Sequence, residues 1–340
     1  MLAELQGFRS RGCWVALLAP PHSVISDRAK TSGIETYPLD TRKSRYLPSA
    51  LRLRTWLRRN DVHIVNTHSS RDGYLVGAAA GLARVPLRIR SRHIDVSYRT
   101  PWISRLAFSS FADHVMTTSG KITSHLQETF RLPDDRISTV STGVDTNRFS
   151  PEGKAAALGD GPLVGMVSVL RSWKGHPDFL KAAKMLTDRG VAARFVIVGE
   201  GPQQANIAQA IEGLGLQDVV TMLGHREDVP EILRALNVLA IPSTGHEGIP
   251  QIGLQALACG TPVVGSDAGG IPEIIKDGQT GRIFPAKDPV GLASAIEATL
   301  SEPDKTRAYV ASGCELVQHS HSVAHMLDQI EEIYRRYLKV

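Results

Sequence analysis

The chain has 340 residues, 42% of them hydrophobic and 21% charged, with 30 Gly, 19 Pro and 3 Cys. That length suits two α/β domains of ordinary size, and the composition excludes a disordered or low-complexity protein. The net charge of +5 conceals an asymmetry: residues 1–150 hold 22 Lys and Arg against 12 Asp and Glu, and the remainder 17 against 22. A basic half of this kind points to an anionic partner, whether a membrane surface, a phosphorylated lipid or nucleic acid. No apolar run approaches the ~18 residues of a membrane helix. Residues 1–6 do not read as a secretory leader, because no basic segment leads into a long apolar core. Cys13, Cys259 and Cys314 form no CxxC pair, which favours a reducing compartment and no structural zinc.

In chain order, residues 1–12 read as a helix ending near Gly12, ahead of a strand over 14–18. An α/β domain ordinarily opens on a strand and a Gly-rich turn, and both are expected to be missing here. Residues 42–59 set Leu47, Leu51, Leu53 and Leu57 beside Arg42, Arg45, Arg52, Arg54, Arg58 and Arg59. This predicts a helix packing on its own sheet, with contact to anionic lipid as the sharper reading. Residues 62–68 predict a short buried strand ending at His68, and 73–82 a helix of small residues. Residues 87–95 repeat the pattern, a strand with His93 and Asp95 just past its C-terminal end, the edge of a parallel sheet where ligands bind. A further strand spans 114–119, another begins at Arg136, and the Gly- and Ala-rich stretch before Pro162 reads as a linker.

The second half alternates strands (163–170, 193–198, 219–223, 237–242) with helices (177–189, 203–214, 229–236). Such alternation predicts a parallel, doubly wound sheet. Gly199-Glu200-Gly201-Pro202 is not GxGxxG and lies too deep in the chain for a dinucleotide turn. Arg171-Ser172-Trp173-Lys174-Gly175 follows a strand directly and sets two cations at its end. After Phe284 come two more helices, and the last, 322–338, is amphipathic through Met326, Leu327, Ile330, Ile333, Tyr334 and Tyr337. His321 and His325 share a helical face but are not read as a physiological metal site.

Residues 246–267 read as loop, helix, tight turn and strand. Pro250 suits the first helical turn, where its missing N–H costs nothing. Gly260 suits a left-handed cap, and Thr261-Pro262-Val263-Val264 opens the next buried strand. The start of such a helix offers N–H groups without intrahelical partners and a positive dipole end, which suits an anion. The segment resembles the donor-binding loop and helix of the retaining GT-B glycosyltransferases of family 4. Those enzymes carry two glutamates eight residues apart, followed by Cys-Gly-Thr-Pro-Val-Val. Glu247 matches the first, while Gln255 stands at the second. Residues 141–151 resemble the family's Asn-Gly-Val-Asp…Phe-x-Pro segment, with Thr142 in place of the asparagine.

The resemblance implies an α/β, GT-B fold of two doubly wound Rossmann-like domains with a cleft between them. It divides the chain into an acceptor-side domain (1–150), a linker (151–161), a nucleotide-sugar-binding domain (162–325) and a C-terminal helix (326–340) crossing back to the first domain. The implied activity is retaining, metal-independent and cofactor-free transfer from a nucleotide sugar to a glycan or lipid-linked acceptor, in lipopolysaccharide or other cell-surface polysaccharide assembly. The implied location is cytoplasmic, with peripheral contact at an anionic inner membrane and no nucleic-acid partner. On the family's pattern Arg171 and Lys174 hold the diphosphate. Lys174 and Gly175 match directly, whereas the usual arginine position is Val169 and Arg171 stands two residues later. Glu247 and the backbone of Gly248, Ile249 and Pro250 bind the donor sugar, and Gln255 meets the ribose. A neutral amide in place of a carboxylate is expected to weaken nucleotide binding by roughly 1 kcal/mol. His93 and Glu247 are the catalytic candidates, His93 shaping the reacting face, and His68 and Asp95 fall on the acceptor side. No Asp-x-Asp occurs, so the two cations and the helix start take a metal's place. Two other classes stay open: a non-catalytic nucleotide-sugar-binding relative, and a GT-B sugar-nucleotide epimerase.

Overall fold

A computed structural model of the chain describes residues 1–94, 98, 100–245 and 247–338. It divides into two compact units, Met1–Gly143 with Val323–Val340, and Val144–Ser322. In the first unit α1 (Leu2–Ser10) leads to β1 (Ala16–Ala19), α2 (Val24–Thr31) and β2 (Glu35–Pro38). There follow α3 (Tyr46–Arg59), β3 (Ile64–Thr67), α4 (Ser70–Ala83), β4 (Leu87–Arg92), α5 (Pro101–Phe108), β5 (His114–Thr117), α6 (Gly120–Phe130) and β6 (Ile137–Thr139). β1 and β2 form a two-stranded parallel sheet, and β3-β4-β5-β6 a four-stranded one.

Local chemistry sets the elements that carry His68 and His93. The α4 helix begins in a capping box, in which the Ser69 hydroxyl accepts from the Asp72 N–H and the Asp72 carboxylate from the Ser69 N–H. Ala79 and Ala80 of α4 are fully buried, which lets the helix lie close to its sheet. On α3, Ala50, Leu53 and Leu57 pack with Val65, Leu75 and Val76, so this arginine-rich helix does cover its own sheet. Burial of each leucine is worth about 2 kcal/mol.

The second unit runs β7 (Leu163–Val167), α7 (His176–Asp188), β8 (Arg194–Val198), α8 (Gln204–Gly213), β9 (Val220–Gly224), α9 (Val229–Ala235) and β10 (Val238–Ile241). It continues with α10 (Gln251–Ala258), β11 (Val263–Ser266), α11 (Ile271–Ile274), β12 (Arg282–Phe284), α12 (Pro289–Ser301) and α13 (Pro303–Ser320). One six-stranded parallel sheet results, in the order β12-β11-β10-β7-β8-β9. Its strands are near-continuous apolar runs because apolar clusters cover both faces. Residues 151–161, read as a linker, run along this unit. The Ala156 N–H donates to the carbonyl of Glu231, the Arg194 side chain to the carbonyls of Leu158 and Asp160, and that of Arg234 to the carbonyl of Lys154.

The last helix, α14 (Val323–Leu338), belongs to the first unit. Its Leu327, Ile330 and Ile333 pack with Phe8, Leu87 and Met116, and the Tyr334 ring lies 5.1 Å from that of Phe8. Arg11 pairs with Asp328 and Glu331 of this helix at 2.5 Å each. Among the described residues no helix is long and apolar enough to cross a membrane.

Candidate functional site

The strand order of the second unit reverses between β7 and β10: β8 and β9 extend from one side of this pair, β11 and β12 from the other. Loops leaving the C-terminal ends of the two strands diverge at such a point, and the crevice between them is where doubly wound sheets take ligands. Lys174 lies on the loop after β7 and Glu247 on the loop after β10.

Glycines clamp the loop after β7 on two sides. Gly199 has φ +129°, and a Cβ there would stand 1.9 Å from the Ser168 carbonyl oxygen. The Gly199-Glu200-Gly201 turn therefore serves close backbone approach, with the Leu170 N–H donating to the Glu200 carbonyl at 2.9 Å. Gly175 has φ +80°, and a Cβ there would stand 1.8 Å from the Pro242 carbonyl oxygen. This contact brings the short turn Ser172–Lys174 against the loop after β10, where the Thr244 N–H donates to the Trp173 carbonyl at 2.8 Å.

Lys174 Nζ donates to Glu247 Oε1 at 2.5 Å, and the Ser243 hydroxyl donates to the same oxygen at 2.9 Å. Glu247 is only 8% exposed. Its carbonyl accepts from the Gly270 N–H, and Gly269, at φ +60°, leaves room for that carbonyl. A pair this deep is costly to break, because removing one partner leaves the other charge buried and unpaired. Reading the sequence gives the two residues separate tasks and does not anticipate their pairing; they lie 73 positions apart, with no local pattern to announce it.

The helix after Glu247 starts at Gln251, with Pro250 as its N-cap residue one position earlier than read from the sequence. Gly260 takes the left-handed cap, φ +73°. Gly248 and Ile249 lie against Gly270, and Gln255 is half-buried on α10 beside the fully buried Ala256. Arg171 is exposed, its guanidinium 5.7 Å from the Trp173 ring centre. Beneath the loop, burial lowers the His176 pKa to about 4, so it stays neutral. His246 lies outside the described residues.

In the first unit β3 and β4 pair in register, Thr67 beside Arg90, so the residues that follow them converge. His68 Nδ1 and His93 Nε2 stand 2.9 Å apart, with ring planes 6° from parallel. Burial pushes the His68 pKa well below its ordinary value, and the neighbouring Arg90 adds to this. For His93 burial, then the amino terminus, Arg90 and Arg92, lower it to about 4. At neutral pH the pair is uncharged, one ring donating and the other accepting. Asp95 lies outside the described residues.

Arg90 escapes the sequence reading. In Leu87-Arg88-Ile89-Arg90-Ser91-Arg92 the alternation sends arginines to one face, which suggests solvent; yet Arg90 is 1% exposed. It donates to the Ser69 carbonyl at 2.5 Å and to Asp72 at 3.2 Å. The available signal is Gly73, where a Cβ would stand 3.1 Å from the guanidinium.

Residues 2–148 match the family described as Glycosyltransferase Family 4, and residues 151–314 match Glycosyl transferases group 1. The chain is 30% identical over 308 residues to the alpha-maltose-1-phosphate synthase of Mycolicibacterium smegmatis, spanning 81% of this chain and 78% of the relative. A glycosyltransferase structure from Rickettsia africae aligns with a TM-score of 0.90 at 18% identity, over 99% of this chain and 94% of that one. HepE of Anabaena, solved in complex with UDP-glucose, aligns with a TM-score of 0.86 at 19% identity, over 98% and 94%. The structural likenesses speak for the fold, an α/β GT-B fold of two Rossmann-like units. With matches over both halves and a relative aligned over most of its length, the chain belongs to the family 4 glycosyltransferases.

Proposed function

We propose that this glycosyltransferase moves a sugar, with retention of anomeric configuration and without a metal ion, from a nucleotide sugar to a glycan or lipid-linked acceptor in lipopolysaccharide or other cell-surface polysaccharide assembly. The observation that carries the donor half is the Lys174–Glu247 pair, placed where the strand order reverses and ahead of α10. The Anabaena relative, solved with UDP-glucose, supports the same ligand class.

Negative charge grows on the leaving diphosphate as the anomeric C–O bond breaks. Arg171, Lys174 and the N–H groups at the start of α10 stabilise it, with Lys174 held in place beforehand by Glu247. The second oxygen of Glu247 and the N–H groups of Gly248 and Ile249 take sugar hydroxyls, Pro250 sets the angle of the helix, and Gln255 meets the ribose. The acceptor oxygen bonds to the anomeric carbon on the face that the phosphate leaves, the C–O electrons pass to the diphosphate, and the hydroxyl proton passes to a phosphate oxygen. His93, neutral beside His68, donates or accepts a hydrogen bond at the reacting sugar without acting as an essential base, and His68 and Asp95 serve the acceptor.

For the acceptor, the first 150 residues are basic, and Leu47 (72% exposed) and Leu51 (49%) stand out on α3 near Arg52 and Arg59. This suits a lipid-linked or phosphorylated glycan at an anionic membrane, on the cytoplasmic face of the inner membrane. The Mycolicibacterium relative is named as the synthase of a sugar phosphate, which agrees with the phosphorylated reading of the acceptor.

Calorimetric titration of UDP, GDP and ADP without metal tests the donor site. One nucleotide is expected to bind selectively, Lys174→Ala to weaken it about 10- to 100-fold as a charge-assisted contact is lost, and Gln255→Glu to tighten it severalfold. Failure of all three nucleotides to bind at millimolar concentration, or binding indifferent to Lys174→Ala, refutes the donor site. Product analysis by NMR, showing an inverted anomeric centre, refutes retention.

A further inference from the structure

Strand β4 carries arginines at alternate positions, Arg88, Arg90 and Arg92, and so on one face of its sheet. The first two have carboxylate partners: Arg88 pairs with Asp113 at 2.5 Å and Arg90 with Asp72 at 3.2 Å. Arg92, the last residue of the strand, is only 7% exposed, yet among the described residues it has neither an ion pair nor a hydrogen bond. Its guanidinium lies 5.6 Å from the Tyr98 ring centre, a contact that replaces little of the hydration lost on burial. Asp72 is already engaged, since its carboxylate accepts from the His68 and Ser69 N–H groups as well as from Arg90. Burial lowers the Arg90 pKa; Asp72 opposes this, and the neighbouring charge of Arg92 adds to it. A cation this deep calls for an anion, which the chain supplies to Arg88 and Arg90 and, among the described residues, not to Arg92. Arg92 Nε is closed to solvent, whereas the two Nη groups are not.

We infer that Arg92 anchors an anionic oxygen group of the acceptor, a phosphate or a carboxylate, at the C-terminal edge of the first unit's sheet, next to the His68–His93 pair. This rests on reading that edge as the acceptor's side. The guanidinium fork matches two oxygens of such a group. The donor's diphosphate has Arg171 and Lys174 in the second unit and needs no cation from β4. An empty site leaves Arg92 uncompensated, so acceptors that carry the anion are favoured over neutral ones.

The probes are inorganic phosphate and acetate, titrated into the full chain against sodium chloride at matched ionic strength. Hydrogen exchange is followed at residues 87–92. At ten times its Kd, an anion bound only by the folded chain is expected to slow this exchange about 10-fold. Arg92→Met, which keeps an apolar stem without the charge, is expected to lose the response. Without anion it is expected to exchange more slowly than the parent, because no uncompensated charge remains. Arg92→Lys is expected to retain a weaker response. A response to phosphate alone or to acetate alone supports the site and names the group. An equal response to chloride, no response to either anion, or a response retained in Arg92→Met overturns the proposal. Faster exchange of anion-free Arg92→Met makes Arg92 a structural prop and overturns it too. Nucleotide binding by calorimetry is expected to be the same in Arg92→Met as in the parent; a loss assigns Arg92 to the donor's diphosphate and overturns the acceptor assignment. The anion response needs no nucleotide, so its failure and that of the donor site are read separately.

Discussion

In the second unit six parallel strands run unbroken from β12 to β9, whereas in the first the sheet parts between β1 and β3. The second holds the loop after β7 by backbone contacts that only glycine permits, at Gly175 and Gly199. The first places His68 and His93 at the ends of β3 and β4, braced by the buried Arg90, on the four-stranded side of the break. The difference teaches that the edge of a parallel sheet presents ligand groups only as firmly as the ladder behind it. The loops after β7 and β10 stand at the centre of a complete ladder. The paired histidines begin on the free edge itself, His68 after the edge strand β3 and His93 after its neighbour β4.

The largest test of this contrast is steric. Gly175 and Gly12 share a left-handed backbone, φ +80° and +87°, but Gly12 has open space where Gly175 meets Pro242. Gly175→Ala should cost upward of ~4 kcal/mol and Gly12→Ala roughly 1–2. Urea midpoints, read separately for the two units by exchange mass spectrometry, check this. Equal losses would show that the second unit's loops are no more tightly clamped than the first unit's turn.

A somewhat smaller effect compares His114 of the first unit with His176 of the second, both almost fully buried. His114 bonds to Tyr337 and Ser138, and burial, with Arg336 and Arg136, lowers its pKa to about 4; burial does the same for His176. Because the folded values lie below the unfolded ~6.5, the neutral forms contribute fully above pH 6.5, and that stability drains as pH falls towards 4. The gap is worth about 3 kcal/mol for each residue. His114→Gln and His176→Gln should each flatten the acid limb of stability between pH 6.5 and 4.5, measured by urea unfolding. An unchanged limb in both variants would refute the assignment.

The smallest effect sharpens the charge contrast. Replacing Arg52 and Arg59 by alanine should weaken adsorption to phosphatidylglycerol vesicles by about 1 kcal/mol per residue. Replacing Lys181 and Lys305 of the acidic second unit should change nothing. Equal binding of all these proteins in a vesicle sedimentation assay would remove α3 from the membrane contact.

Much of the second unit was legible in the sequence. Strands read at 163–170, 193–198, 219–223 and 237–242 appear as Leu163–Val167, Arg194–Val198, Val220–Gly224 and Val238–Ile241. Strands buried on both faces must be apolar throughout, and Gly and Pro punctuate the turns between them, so the pattern is local. The left-handed Gly260 was legible for the same reason. In the first unit β2 and α2 were not singled out, since Glu35–Pro38 carries neither a clear alternation nor a continuous apolar run. After Phe284, Pro303 opens α13 and divides the stretch ahead of α14 into two helices.

What the sequence by itself determined is therefore the alternation of strand and helix in the second unit and the left-handed glycine that caps α10. Only the tertiary structure decided that Lys174 pairs with Glu247, that His68 meets His93, that Arg90 lies buried against Ser69 and Asp72 and that a cavity is lined by both β1 and β3. Backbone preference and periodicity act within about a dozen residues, whereas these contacts join segments brought together by strand order, which is set by the burial of whole faces at once.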